Sequence, residues 1–101
     1  PSGDGYGVSA TSRNPLLALA FGETVRALRA AAGVAQEALA LDAGMDRSYL
    51  GKVERGERQP SLDMVFRLAA VLDVTPGELV DLTGRRLLTV KRRQATAKRM
   101  V

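Results

Sequence analysis

The chain has 101 residues, 46% of them hydrophobic and 26% charged, which suits one globular domain rather than a disordered or fibrous chain. It contains no cysteine and no histidine. Disulfides and thiolate metal sites are therefore excluded, as is the side chain that most often serves as metal ligand or general base, so no metal, cofactor or catalytic site is expected.

The formal charge of +4 is unevenly spread: residues 83–101 carry seven basic side chains and no acid, while everything before them carries eight basic and eleven acidic residues, or −3. The body is mildly acidic, and any electrostatic footprint there has to come from local clustering on one face. No apolar run approaches the roughly 20 residues of a membrane span, and no charged-then-apolar signal segment opens the sequence. A cytoplasmic, nucleoid-associated protein without membrane contact is the expectation.

Residues 1–13, PSGDGYGVSATSR, open on Pro1 rather than Met and hold three glycines, with Ser and Thr, at no helical period. They read as a flexible arm or an appended remnant. The spaced glycines do not make a phosphate loop, because no strand precedes them and no Gly-Lys-Ser/Thr follows. Asn14-Pro15 looks like an N-cap with proline at the first helical position. Leu17, Phe21, Val25, Leu28 and Ala32 then recur at helical spacing, and Gly33 supplies the stop. Gly22 is expected to weaken this helix by roughly 1 kcal/mol relative to Ala and is a point where it could break.

Gln36 to Gly56, QEALALDAGMDRSYLGKVERG, reads as two short helices joined by a three-residue corner. Leu39, Ala43, Met45, Leu50 and Val53 keep one side of each helix turned inward, and Ala40 lets the two backbones approach. Gly44 can take the positive φ of a sharp exit, and Asp46 is expected to cap the second helix with its carboxylate on the amide of Ser48 or Tyr49. Arg47, Ser48, Gly51 and Lys52 are expected to point away from the core, the arrangement that fits a DNA major groove.

Residues 55–60 form a polar turn, and Ser61 caps a further helix with inner face Leu62, Val65, Phe66, Leu68, Ala69 and Leu72. Thr75-Pro76-Gly77-Glu78 is a capping box that starts a fifth helix containing Leu79, Val80 and Leu82. A domain over 14–82, about 70 residues, buries only about 60% of its unfolded surface, so pairing of two chains would help it. The remainder, 83–101, reads as a basic tail with a short strand over Leu87–Val90 and a helical turn over Ala95–Met100. A solvated tail, a second DNA backbone contact and adhesion to membrane or RNA all remain open for it.

From about Phe21 to Leu82 the sequence resembles the lambda-repressor-like (Xre/Cro) family of helix-turn-helix regulators. The resemblance rests on Phe21-Gly22, Val25-Arg26, Leu28-Arg29, Gly33, Gln36-Glu37, Leu39-Ala40, Ala43-Gly44, Ser48, Leu50, Val53-Glu54-Arg55-Gly56, Arg58 and Pro60-Ser61. It implies an all-α, five-helix DNA-binding domain that takes double-stranded operator DNA, usually as a homodimer, with no small-molecule ligand evident. Position by position it implies that Arg47, Ser48 and Lys52 read base edges and that Gln36, Tyr49, Arg55 and Arg58 hold phosphates, Tyr49 having packing against the body as an equal alternative. It also implies that Arg29 and Glu54 form an internal ion pair.

Two departures stand out: Ala35 where the family offers a capping hydroxyl, and Glu57, an acid beside the expected phosphate path. The function expected is a sequence-specific transcriptional regulator of repressor, controller or antitoxin type on a pseudo-palindromic operator. The alternative is an adaptor that uses the same bundle to bind protein. An enzyme is not expected, since no nucleophile and base are set up as partners.

Overall fold

The structure, a computed structural model, describes residues 13–99. The expectations for the arm over 1–12 and for the last two residues lie outside the described residues. Five helices follow one another: α1 (Pro15–Ala32), α2 (Gln36–Asp42), α3 (Arg47–Glu54), α4 (Leu62–Val71) and α5 (Pro76–Arg99). No strand occurs among the described residues, and none of their helices is long and apolar enough to cross a membrane.

The helix starts follow the local chemistry of the sequence at three of five places. The Asn14 side chain accepts from the Leu17 amide ahead of Pro15, and the Ser61 hydroxyl accepts from the Met64 amide. At α5 both bonds of a capping box are made: Glu78 N–H donates to Thr75 Oγ1 at 3.0 Å, and Thr75 N–H donates to the Glu78 carboxylate at 2.8 Å. The bond from the Thr75 amide is the largest cause holding the Glu78 carboxyl below the usual carboxylate range, with the Thr75 side chain adding to it. Ala35 provides no side-chain bond at α2. Asp46 provides none at α3 either: its backbone is extended as a cap requires, but its carboxylate accepts nothing from the helix. The capping role expected of it is corrected accordingly.

The corner between α2 and α3 is four residues long, 43–46, one more than the sequence spacing suggested. It closes as a Schellman motif. Met45 N–H reaches Ala40 O at 2.9 Å and Gly44 N–H reaches Leu41 O at 3.1 Å, with Gly44 at φ 69°. That left-handed conformation is one a side chain adopts only at a cost.

Phe21, Val25, Leu39, Ala40, Ala43, Leu50, Val53, Met64, Val65, Leu68, Ala69, Leu72 and Leu79 form one buried cluster to which every helix contributes. Three expectations are corrected here. α1 runs unbroken through Gly22, which is buried. Leu62 and Phe66 lie outside the core, Met64 taking the inward position instead, and Val80 is exposed as well. The segment over 83–99 is neither strand nor loose tail: it continues α5 without interruption. Thr83 and Val90 are buried, and Arg86 and Arg93 reach Glu23 on α1 at 3.6 and 2.6 Å. Every seventh residue returns to nearly the same side of a helix, so one acid on α1 serves two arginines one heptad apart.

Candidate nucleic-acid interface

α3 is fixed from beneath. Leu50 and Val53 are fully buried, and Glu54 is 6% exposed at the end of the same helix. A carboxylate in that position needs partners. It has three bonds: Arg29 Nε at 2.8 Å, Arg29 Nη2 at 3.0 Å and Gln36 Nε2 at 3.0 Å. The forked pair with Arg29 is the strong bidentate form. Arg29 Nη1 also donates to the Val34 carbonyl at 3.0 Å, so a single guanidinium ties α1, the α1–α2 turn and α3 together. The Glu54 bond keeps the Arg29 guanidinium protonated even more firmly than usual.

Above this foundation Arg47 and Ser48 are exposed and Lys52 is half-buried. Arg47 approaches Glu37 of α2 only at 3.8 Å with both side chains largely in solvent, a contact worth little. Gly51, expected to face outward, is buried instead. The side chains of Gln36 and Arg55 close over it, a new Cβ there lying 3.1 Å from Arg55 Nη1 and 3.7 Å from Gln36 Oε1. A shallow cleft of about 330 Å³ is lined by Gln36, Arg47, Ser48, Gly51 and Arg55. One of the two N–H groups of Gln36 Nε2 is spent on Glu54. Its other N–H remains for a ligand.

The loop after α3 supplies the remaining cations. Arg55 and Arg58 are exposed. Arg55 Nε donates to Glu57 Oε2 at 2.7 Å. That bond raises the Arg55 pKa and holds the Glu57 carboxyl below its usual range, with Lys52 and Arg58 adding attraction. Glu57 is therefore an ionised acid among three cations, and it takes the Arg55 Nε–H. The loop is moored to the start of α1: Asn14 N–H donates to Gln59 Oε1 at 3.1 Å, and Gly56 packs against Leu19. Tyr49 stands apart, lining a crevice with Gly44, Met45, Ser61 and Met64 on the α4 side of α3.

Arg26 carries part of the family resemblance but is given no site role by the sequence. It is exposed on α1 and lines a cleft of about 280 Å³ with Arg29, Gln36, Gly51, Glu54 and Arg55. Its place one helical turn before Arg29 is the signal that could have found it.

Two short helices at a tight corner, the second pinned from below and cationic above, define a helix-turn-helix unit within a five-helix bundle. A helix-turn-helix family model (HTH_3) matches residues 25–79, more than half the chain. The chain belongs to the lambda-repressor-like family of helix-turn-helix transcriptional regulators, whose members bind DNA. It is 38% identical over 66 residues to the control protein C.BamHI of Bacillus amyloliquefaciens, covering 64% of this chain and 82% of that protein.

Among solved structures, the restriction-modification controller protein C.AhdI from Aeromonas hydrophila superposes with a TM-score of 0.60 at 50% identity. The match covers 61% of this chain and 94% of that one. The clp gene regulator ClgR from Corynebacterium glutamicum covers 85% of this chain and 92% of its own, with a TM-score of 0.75. At 23% identity that likeness speaks to the fold alone.

Proposed function

We propose that this protein reads a specific duplex sequence through α3 and regulates transcription by occupying that site, in the manner of a restriction-modification controller. Arg47, Ser48 and Lys52 would contact base edges. Gln36, Arg55, Arg58 and Arg26 would hold phosphates on either side, with Tyr49 contributing a phosphate contact from the α4 side. The observation that carries the reading is the combination at α3: buried Leu50 and Val53 and a three-bonded Glu54 below, exposed Arg47 and Ser48 and half-buried Lys52 above. A helix held this rigidly can present bidentate donors to guanine, each pair worth about 1 to 3 kcal/mol of discrimination. The names of C.BamHI and C.AhdI support the controller type.

The protein would act as a homodimer. Two recognition helices about 34 Å apart would meet successive major-groove faces of a pseudo-palindromic operator. Selection of bound sequences from a pool of random duplexes tests the proposal directly. A defined motif is expected, and Arg47→Ala and Lys52→Ala should flatten preference within it. Arg58→Ala and Arg26→Ala should weaken selected and random duplexes alike, each lowering the salt slope of log K by about 0.9. No enriched motif, or weak binding indifferent to salt, would overturn it in favour of a protein-binding adaptor.

A further inference from the structure

The C-terminal half of α5 does something the recognition surface does not require. Among residues 83–99 there are seven cations and no acid, and the structure sorts them into two groups. Arg86 and Arg93 turn toward α1 and are paired with Glu23. Arg85, Lys91, Arg92, Lys98 and Arg99 are all exposed, and none of the five makes an ion pair among the described residues. Their spacing is regular. Arg85, Arg92 and Arg99 lie seven apart on one line of the helix, and Lys91 and Lys98, also seven apart, lie on the adjoining line. At 1.5 Å per residue the cationic strip from Arg85 to Arg99 is about 21 Å long.

The strip is a fixed object. Buried Val90 and Thr83, together with the two arginines on Glu23, seat the helix on the bundle as far as Arg93, and the last turns carry the strip on as continuous helix to Arg99. It also lies apart from α3. α5 packs on α1 and α4 while α3 packs on α1 and α2; Arg85 borders a crevice with Thr24, Ala27 and Leu28 of α1 at the inner end of the strip, and Lys91, Arg92, Lys98 and Arg99 are exposed farther along the helix.

We propose that this outer face of α5 is a second, sequence-independent site for the phosphate backbone of duplex DNA, engaging a segment other than the one in which α3 lies. Duplex DNA is the occupant that fits. It offers one negative charge per roughly 1.7 Å of axis, so an unbroken cationic strip finds phosphates at any register. Arginine forks bind phosphate bidentately. The only large apolar side chain exposed along the strip is Leu88. A single Leu is too little for the apolar anchor cluster of a protein interface. The inference adds to the reading of α3 but does not need α3 to be selective.

The test compares the intact protein with a variant carrying Arg85→Gln, Lys91→Gln, Arg92→Gln, Lys98→Gln and Arg99→Gln. Gln is a good helix former, and circular dichroism verifies that α5 is retained. Titration with a random-sequence duplex of about one helical turn, followed by sedimentation, should show the variant holding one duplex fewer per protomer. On a longer random duplex its salt slope should be shallower by about 3 to 4.5, at 0.9 per phosphate. Unchanged stoichiometry and slope in a folded variant would overturn the proposal. So would unchanged DNA uptake accompanied by lost adhesion to phosphatidylglycerol vesicles, which would assign the face to membranes. An Arg47→Ala, Lys52→Ala protein separates the two readings: it should lose sequence preference yet keep the α5-dependent uptake.

Discussion

Gly22 sits where α1 crosses the end of α3, and a Cβ on it would overlap the backbone carbonyl oxygens of both Val53 and Glu54. On helix propensity alone, Gly22→Ala should stabilise an uninterrupted helix by about 1 kcal/mol. The atoms it would strike are backbone rather than the ends of flexible side chains, so α1 and α3 would have to separate, and overpacking of that kind typically costs about 1 to 3 kcal/mol. The steric cost wins. Gly22→Ala is expected to lower the urea midpoint at an unchanged m-value, and a rise would show the crossing to be looser than its geometry. Glu57 makes the opposite kind of prediction. It shares the Arg55 guanidinium at 2.7 Å and sits among cations that the proposed function assigns to phosphates. Glu57→Gln should raise affinity several-fold for selected and random duplexes alike without altering the preferred sequence, as measured by fluorescence anisotropy.

At the scale of the element, the capping box of α5 gives stability a pH dependence whose sign follows from its geometry. The Glu78 carboxylate accepts a bond from the Thr75 amide, which lowers its folded pKa below the unfolded one. The stabilisation is therefore complete above the ordinary Glu pKa of about 4.3 and is lost as pH falls through the lower, folded value. In thermal melts, Glu78→Gln should be less stable than the parent at neutral pH, and the gap should close in acid; a constant gap would place its origin elsewhere. This box was legible in the sequence because every atom it needs lies within four residues.

The Asn14 and Ser61 caps and the Gly33 and Gly44 exits were legible for the same reason. The long-range features were not. Nothing local announces that Glu23 will receive Arg86 and Arg93, some seventy residues away, so 83–99 looked like a tail and its β-branched residues like a strand. Gly22 looked weak because its partner backbone is thirty residues distant. Asp46 had the identity of a cap without the contact. The family resemblance singled out Arg29 and Glu54 as partners, but only the fold brings Arg26 to the same cleft.

At the scale of the whole molecule, the bundle leaves apolar surface that its own core does not use. Leu62 and Phe66 on α4 are 72% and 55% exposed, and Val80 near the start of α5 is 54% exposed. Beside Val80, between α1, α4 and α5, runs a crevice of about 230 Å³ lined by Leu17, Phe21, Pro60, Val65, Val80, Thr83 and Gly84. Exposed apolar side chains on α4 and at the start of α5 are costly to leave in water, and a two-fold axis through this region would bury each set against its own copy. The proposed dimer is assigned to this face. It leaves the upper edge of α3 free, as reading an operator with two helices requires. Phe66→Asp with Val80→Asp should shift the protein from dimer to monomer in sedimentation equilibrium. The same variant should bind a palindromic selected site no more tightly than a half-site, while circular dichroism stays unchanged because neither side chain belongs to the core. A parent protein that sediments as a monomer at roughly 100 μM, well above the concentration at which a standard-sized interface associates, would rule the interface out.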